Sequence, residues 1–126
     1  MAQKNKILIV EDDQDTREVY CKMLSINGFK TVCAVDGKDG LEKAGKELPD
    51  LIILDVLMPV MDGFTMLKEL RNQDGPAKKI PVIMLTNLSA DSEDIVKKVA
   101  ETGPVYYLVK AGLPLEKLIE KVKEYI

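Results

Sequence analysis

The chain of 126 residues has no histidine and only two cysteines. It has no apolar run approaching the roughly 20 residues that span a bilayer. Each shortage removes a class of function. Without histidine, and with Cys21 and Cys33 at no metal-ligand spacing, a zinc site is excluded. One cysteine pair is too few for a disulfide framework in a domain this size, so both are read as buried thiols kept reduced. Positive charge is not in excess: 18 Lys and Arg stand against 21 Asp and Glu, a net charge of -3, which argues against direct nucleic-acid binding. The first six residues run straight into a strand-length stretch with no signal-peptide core, so a cytoplasmic protein with no membrane contact is expected. Repeats, low-complexity tracts and linkers are also missing. With 46% hydrophobic and 31% charged residues, residues 1–126 read as one domain.

What is present is an alternation. Ile7 to Val10, Lys30 to Val35, Leu51 to Leu54, Ile80 to Leu85 and Val105 to Val109 read as strands. Between and after them come five helical patterns. Val19, Met23 and Ile26 mark the first, closed by Gly28; Leu41, Ala44 and Leu48 the second, with Asp36 as N-cap and Pro49 as its end. Phe64, Leu67 and Leu70 mark the third, and Gln73 to Pro76 is a loop by composition. Ile95, Val96 and Val99 line the inner side of the fourth, capped by Ser89 or Asp91 and broken at Thr102-Gly103-Pro104. Leu115, Leu118, Ile119, Val122 and Ile126 mark the fifth. Near-continuous apolar strands alternating with helices predict a doubly wound three-layer α/β fold with a parallel sheet. In such sheets the site lies at the carboxyl ends of the strands, where strand order reverses. Here those ends carry Glu11-Asp12-Asp13, Asp55, Thr86 and Lys110, while the second strand offers only Asp36. The order 2-1-3-4-5 follows.

The stretch Leu51-Ile52-Ile53-Leu54-Asp55-Val56-Leu57-Met58-Pro59-Val60-Met61-Asp62-Gly63 is central. A carboxylate at the end of a buried strand is costly unless a cation or a reaction needs it, although Asp55 as a plain turn cap stays open. Glu11, Asp12 and Asp55 gathered in one pocket repel one another and call for a hard cation. Oxygen ligands point to magnesium, with manganese as a substitute. Asp13 and Asp15 are read as solvated residues of a helix start. Lys110 adds a fixed positive charge and Thr86 a hydroxyl. Metal, ammonium and hydroxyl around one carboxylate suit transfer of a phosphoryl group to that carboxylate, with Asp55 as nucleophile.

Taken together and in order, Ile-Leu-Ile-Val-Glu-Asp-Asp, Leu-Asp-Val-Leu-Met-Pro-Val-Met-Asp-Gly, Val-Ile-Met-Leu-Thr and Tyr-Leu-Val-Lys resemble the response-regulator receiver domain of the chemotaxis CheY type, over essentially the whole chain. The resemblance implies a flavodoxin-like fold and a signalling domain that assists its own phosphorylation and dephosphorylation rather than an enzyme. It implies that Glu11 and Asp12 are the acidic pair around magnesium, that Asp55 is the phosphoacceptor, and that the backbone carbonyl of Leu57 is a further metal ligand. Thr86 and Lys110 would contact the phosphoryl group. Tyr107 would turn inward on activation; on the residues alone it is a half-buried edge-strand aromatic. The implied partners are a histidine kinase or phosphotransfer protein as donor and an effector or output domain of unstated kind. The output face would be formed by helix four, strand five and helix five.

Three departures from the family pattern stand out. Ala111-Gly112 follows Lys110 where proline is usual, so the bend is expected to be trans or to depend on Gly112. Asn87 follows Thr86 where a small residue is common. Leu57 and Leu88 flank the site and are expected to screen water, giving a long-lived aspartyl phosphate. Three rival readings are weighed. A haloacid-dehalogenase-type phosphatase would use Asp13-Gln14-Asp15, but Arg17 stands where Thr or Val belongs. A flavin or nucleotide binder lacks its phosphate loop, because Glu11 to Asp15 would repel phosphate. A pseudo-receiver that only binds partners is kept open by Asn87 and Ala111. Since no segment is left for an output domain, a stand-alone receiver or one excised from a larger regulator or hybrid kinase is expected. The lysines of the last two helices read as a solvated face.

Overall fold

The computed structural model describes residues 5–87, 93–104 and 106–126. Five strands, β1 (Lys6–Val10), β2 (Lys30–Ala34), β3 (Leu51–Leu54), β4 (Val82–Thr86) and β5 (Tyr106–Val109), form one parallel sheet in the expected order β2-β1-β3-β4-β5. The helices are α1 (Gln14–Ile26), α2 (Gly37–Glu47), α3 (Gly63–Asn72), α4 (Glu93–Thr102) and α5 (Leu115–Tyr125). Val105, and the capping residues expected at Ser89 or Asp91, lie outside the described residues, as does Leu88. Three helices start on aspartate. Asp13, Asp36 and Asp62 accept the backbone N–H groups of Thr16, Asp39 and Thr65 at 2.9, 2.8 and 2.8 Å. Each satisfies a donor that the first turn leaves without a partner.

The sheet separates two apolar layers. Leu8, Val10, Ile52, Leu54, Val82 and Met84 face α2, α3 and α4, while Ile7, Ile9, Leu51, Ile53, Ile83 and Leu85 face α1 and α5. Alternation along each strand divides the side chains, and burial on both faces of β1, β3 and β4 explains why those three read as near-continuous apolar runs, whereas the edge strands β2 and β5 are only part-buried.

Four expectations need correction. The α1 stripe of Val19, Met23 and Ile26 is not the buried one: Leu24 is fully buried, Tyr20 and Cys21 pack beside it, and Val19 and Ile26 are 48% and 68% exposed. The Leu24 carbonyl accepts the N–H of Phe29 where the chain turns back to β2, which turns the Leu24 side of the helix inward. In α4, Ile95 is buried and Val99 packs beside it, but Val96 is exposed, because only one i, i+4 row of a helix meets the sheet. Ile80 is not in β4: its N–H closes a 3-10 helix at Pro76–Lys79 by bonding the Ala77 carbonyl, and Pro81 then leads into the strand. Finally, Cys21 and Cys33, expected as thiols, are joined as a disulfide from α1 to β2, with Cα atoms 7.1 Å apart. Cysteine number argued against a bridge. The packing of α1 over β2 overrides it by bringing this one pair together.

Candidate functional site

The backbone ladder runs one residue beyond the strands and so fixes the site. Glu11 N–H bonds the Ala34 carbonyl and Asp55 N–H the Val10 carbonyl, each at 3.1 Å; Lys110 N–H bonds the Thr86 carbonyl at 2.8 Å. Their side chains converge, with those of Asp12, Leu57 and Asn87, on a cleft of about 300 Å³. Glu11, Asp55 and Thr86 are only 3%, 6% and 0% exposed, so two carboxylates and a hydroxyl sit where burial is expensive.

A glycine makes this packing possible. Gly63 N–H bonds the Val56 carbonyl at 2.9 Å, and a Cβ on Gly63 would overlap the Asp55 carbonyl oxygen and lie 2.9 Å from the Val56 Cα. Gly63, the first residue of α3, thus allows close approach of that helix to the backbone of the aspartate. The same loop holds Val60 at φ 69°, an unusual conformation for a β-branched residue.

Lys110 bridges the carboxylates. Its Nζ bonds the Glu11 carboxylate and lies 3.2 Å from Asp55 Oδ2. The Val56 N–H donates to Asp55 Oδ1 at 2.8 Å, and the Asp13 N–H donates to Glu11 Oε2 at 3.3 Å. Burial pushes the Glu11 carboxyl up to about 7 against the pull of Lys110, with the charge of Asp55 adding to the rise. Burial works against the charge of Lys110, but its bond to Glu11 and the charge of Asp55 outweigh that and raise it. The ammonium of Lys110 thus offsets only part of what burial costs the Glu11 carboxylate.

Carboxylate oxygens of Glu11, Asp12 and Asp55 lie within 4.8 Å of one another. This all-oxygen donor set, partly solvated at Asp12, fits a hard divalent ion such as magnesium. Asp13 caps α1, and Asp15 is exposed in its first turn, as expected of both. Tyr107 does not line the cleft. It is half-buried opposite Met84, in the layer that holds Phe64 and Ile95, and burial and the charge of Asp55 raise its hydroxyl. Among the described residues no peptide bond is cis; after Lys110 the chain bends at Gly112, φ 74°. Sequence reasoning missed Arg17, whose Nη1 donates to the backbone carbonyls of Glu11 and Asp12 at 2.9 and 3.2 Å. Its place in the first turns of the helix after the acidic run was the available signal. Among the described residues no helix is long and apolar enough to cross a membrane.

A family model described as response regulator receiver domain matches residues 7–123. A probable transcriptional regulator ycf27 of Porphyridium aerugineum is 38% identical over 90% of this chain and 45% of its own length. The phosphate regulon transcriptional regulatory protein PhoB of Escherichia coli is 36% identical over 94% and 50%. The chain therefore spans about half the length of the curated relatives it matches. Among solved structures, the Vibrio cholerae chemotaxis protein CheY4 superposes with a TM-score of 0.87 at 32% identity, covering 98% of this chain and all (100%) of that one. The CheX-CheY-BeF3-Mg complex from Borrelia burgdorferi aligns with a TM-score of 0.82 at 29% identity, covering 95% and 87%.

Proposed function

Since the chain belongs to the response regulator receiver domain family, we propose that Asp55 is a phosphoacceptor that takes a phosphoryl group from a histidine kinase or phosphotransfer protein. The observation that carries this reading is the buried Asp55 carboxylate, held by the Val56 N–H and by Lys110 in a cleft that also contains Glu11, Asp12 and Thr86. Asp55 Oδ2, on the Lys110 side, attacks phosphorus; a P–O bond forms as the P–N bond to the donor imidazole breaks, and the released nitrogen takes a proton from solvent. The product is an aspartyl phosphate.

Glu11, Asp12 and Asp55 would hold magnesium, or manganese in its place, with the Leu57 carbonyl, and the ion when bound supplies charge neutralisation at the transferred group. Lys110, which now divides itself between Glu11 and Asp55, turns to a phosphoryl oxygen. The Thr86 hydroxyl moves to another, and Tyr107 fills the space that Thr86 leaves. That shift changes the balance of two populations on the face formed by α4, β5 and α5, which an effector or output domain reads. The one acceptor carboxylate takes one phosphoryl group per chain, and the residues around it act by positioning.

The experiment is intact-mass measurement after incubation with acetyl phosphate and magnesium, beside Asp55→Asn and a metal-free sample. One added phosphoryl group, lost in both controls, is the expected result. No adduct on the parent chain would replace this reading with a partner-binding pseudo-receiver.

A further inference from the structure

The contacts of Arg17 point to a role that the phosphoacceptor reading leaves unassigned. Glu11 and Asp12, two of the three clustered carboxylates, project from the short turn between β1 and α1. That turn is closed by three ties. Asp13 caps α1 through the Thr16 N–H, the Asp13 N–H bonds Glu11 Oε2, and Arg17 Nη1 bonds both the Glu11 and Asp12 carbonyl oxygens. Only the last tie engages the backbone of both ligand-bearing residues at once.

We propose that Arg17 is a positioning residue for the divalent cation: by holding the peptide planes of Glu11 and Asp12, it keeps their carboxylates converged with that of Asp55. The proposal rests on the receiver reading and deepens it. An arginine suits the task for three physical reasons. A guanidinium is a cation, so its bonds to carbonyls are charge-assisted. Its planar fork reaches two acceptors without freely rotating donors. Its place behind the turn also matters: Arg17 is absent from the lining of the cleft, where Lys110 stands. The site thus has two cationic side chains with separate duties. Lys110, inside, must change partners when a cation or phosphoryl group arrives. Arg17, outside, keeps its partners throughout and competes with neither. Without it, the two peptide planes gain freedom that cation binding must then remove, and the loss falls on affinity rather than on the chemistry of transfer.

The test is calorimetric titration of magnesium alone into the parent chain, Arg17→Gln, Arg17→Lys and Leu24→Val. Leu24→Val trims a buried α1 side chain away from the cleft and serves as a stability control. Arg17→Gln is expected to weaken magnesium binding about tenfold, Arg17→Lys less, and Leu24→Val not at all despite a lower unfolding temperature. Acetyl phosphate labelling should show the same division. In Arg17→Gln the magnesium needed for half-maximal adduct rises, while the adduct formed at saturating magnesium is retained. Magnesium affinity in Arg17→Gln within about twofold of the parent, or a loss in Leu24→Val as large as in Arg17→Gln, would overturn the proposal. Should Arg17→Gln not fold, Arg17→Lys decides, with parity to the parent counting against it and a loss of about threefold or more counting for it. A parent chain that neither binds magnesium nor takes the phosphoryl group would instead remove the receiver reading on which the proposal stands.

Discussion

Magnesium binding to this domain should depend on pH in a range where ordinary carboxylates are already ionised. Burial lifts the Glu11 carboxyl to about 7, while Lys110 and Asp55 pull it in opposite directions. A cation needs the ionised form. With the carboxyl at about 7, only about a tenth of Glu11 is ionised at pH 6 and about nine tenths at pH 8, so the apparent magnesium dissociation constant should be about tenfold larger at pH 6. A carboxylate left at an ordinary value would change affinity by only a few per cent over the same interval. Stability without metal moves the other way. Because the folded pKa is raised, the folded chain holds a proton that the unfolded chain has lost between pH 4.5 and about 7. Stability is therefore greatest below that window and falls as pH rises through it. Magnesium should accordingly raise the unfolding temperature more at pH 8 than at pH 6. Calorimetric titrations at the two pH values, in buffers of different ionisation enthalpy, report both the affinity and the proton released on binding. Equal affinities with no proton release would refute the argument, and Glu11→Gln should abolish the pH effect.

Reducing Cys21–Cys33 opens a loop with a sequence separation of 12, which should cost about 3 kcal/mol and lower the unfolding temperature by on the order of 10 °C. A mass gain of two hydrogens without a change in unfolding temperature would contradict this. Val60→Asn should stabilise by about 1 kcal/mol in urea melts, since asparagine tolerates the left-handed region better than valine and the exposed Val60 side chain gives up little. Gly63→Ala should destabilise by at least about 2 kcal/mol and abolish phosphoryl uptake, because its Cβ displaces the Asp55 carbonyl; normal labelling would show that α3 can shift without cost. Leu57→Asn should shorten the life of the aspartyl phosphate by admitting and orienting water at the cleft, and an unchanged decay rate would remove Leu57 from the list of screening groups.

The order of the strands was legible from the residues at their ends: burial on both faces makes β1, β3 and β4 near-continuous apolar runs, and a carboxylate or hydroxyl ending such a run cannot hide. Asp36 as a cap was legible for a similar local reason. Which side of α1 faces the sheet was not. Val19 and Ile26 compete with Tyr20 and Leu24 at the same helical period, and only the turn into β2 decides between them. The bridge from Cys21 to Cys33 depends on how a helix lies over an edge strand, and the grip of Arg17 on two carbonyls depends on peptide orientation. Neither leaves a periodic trace. The contact of Gly63 with the Asp55 backbone likewise appears only once α3 is packed.

Tyr106 and Tyr107 are neighbours in sequence yet belong to different apolar layers, the first beside α1 and α5 and the second beside α3 and α4. A side chain on one face of the sheet can therefore be exchanged in evolution with little renegotiation on the other, since the only shared material is backbone. The fold is in this sense two adaptable proteins built on a single wall.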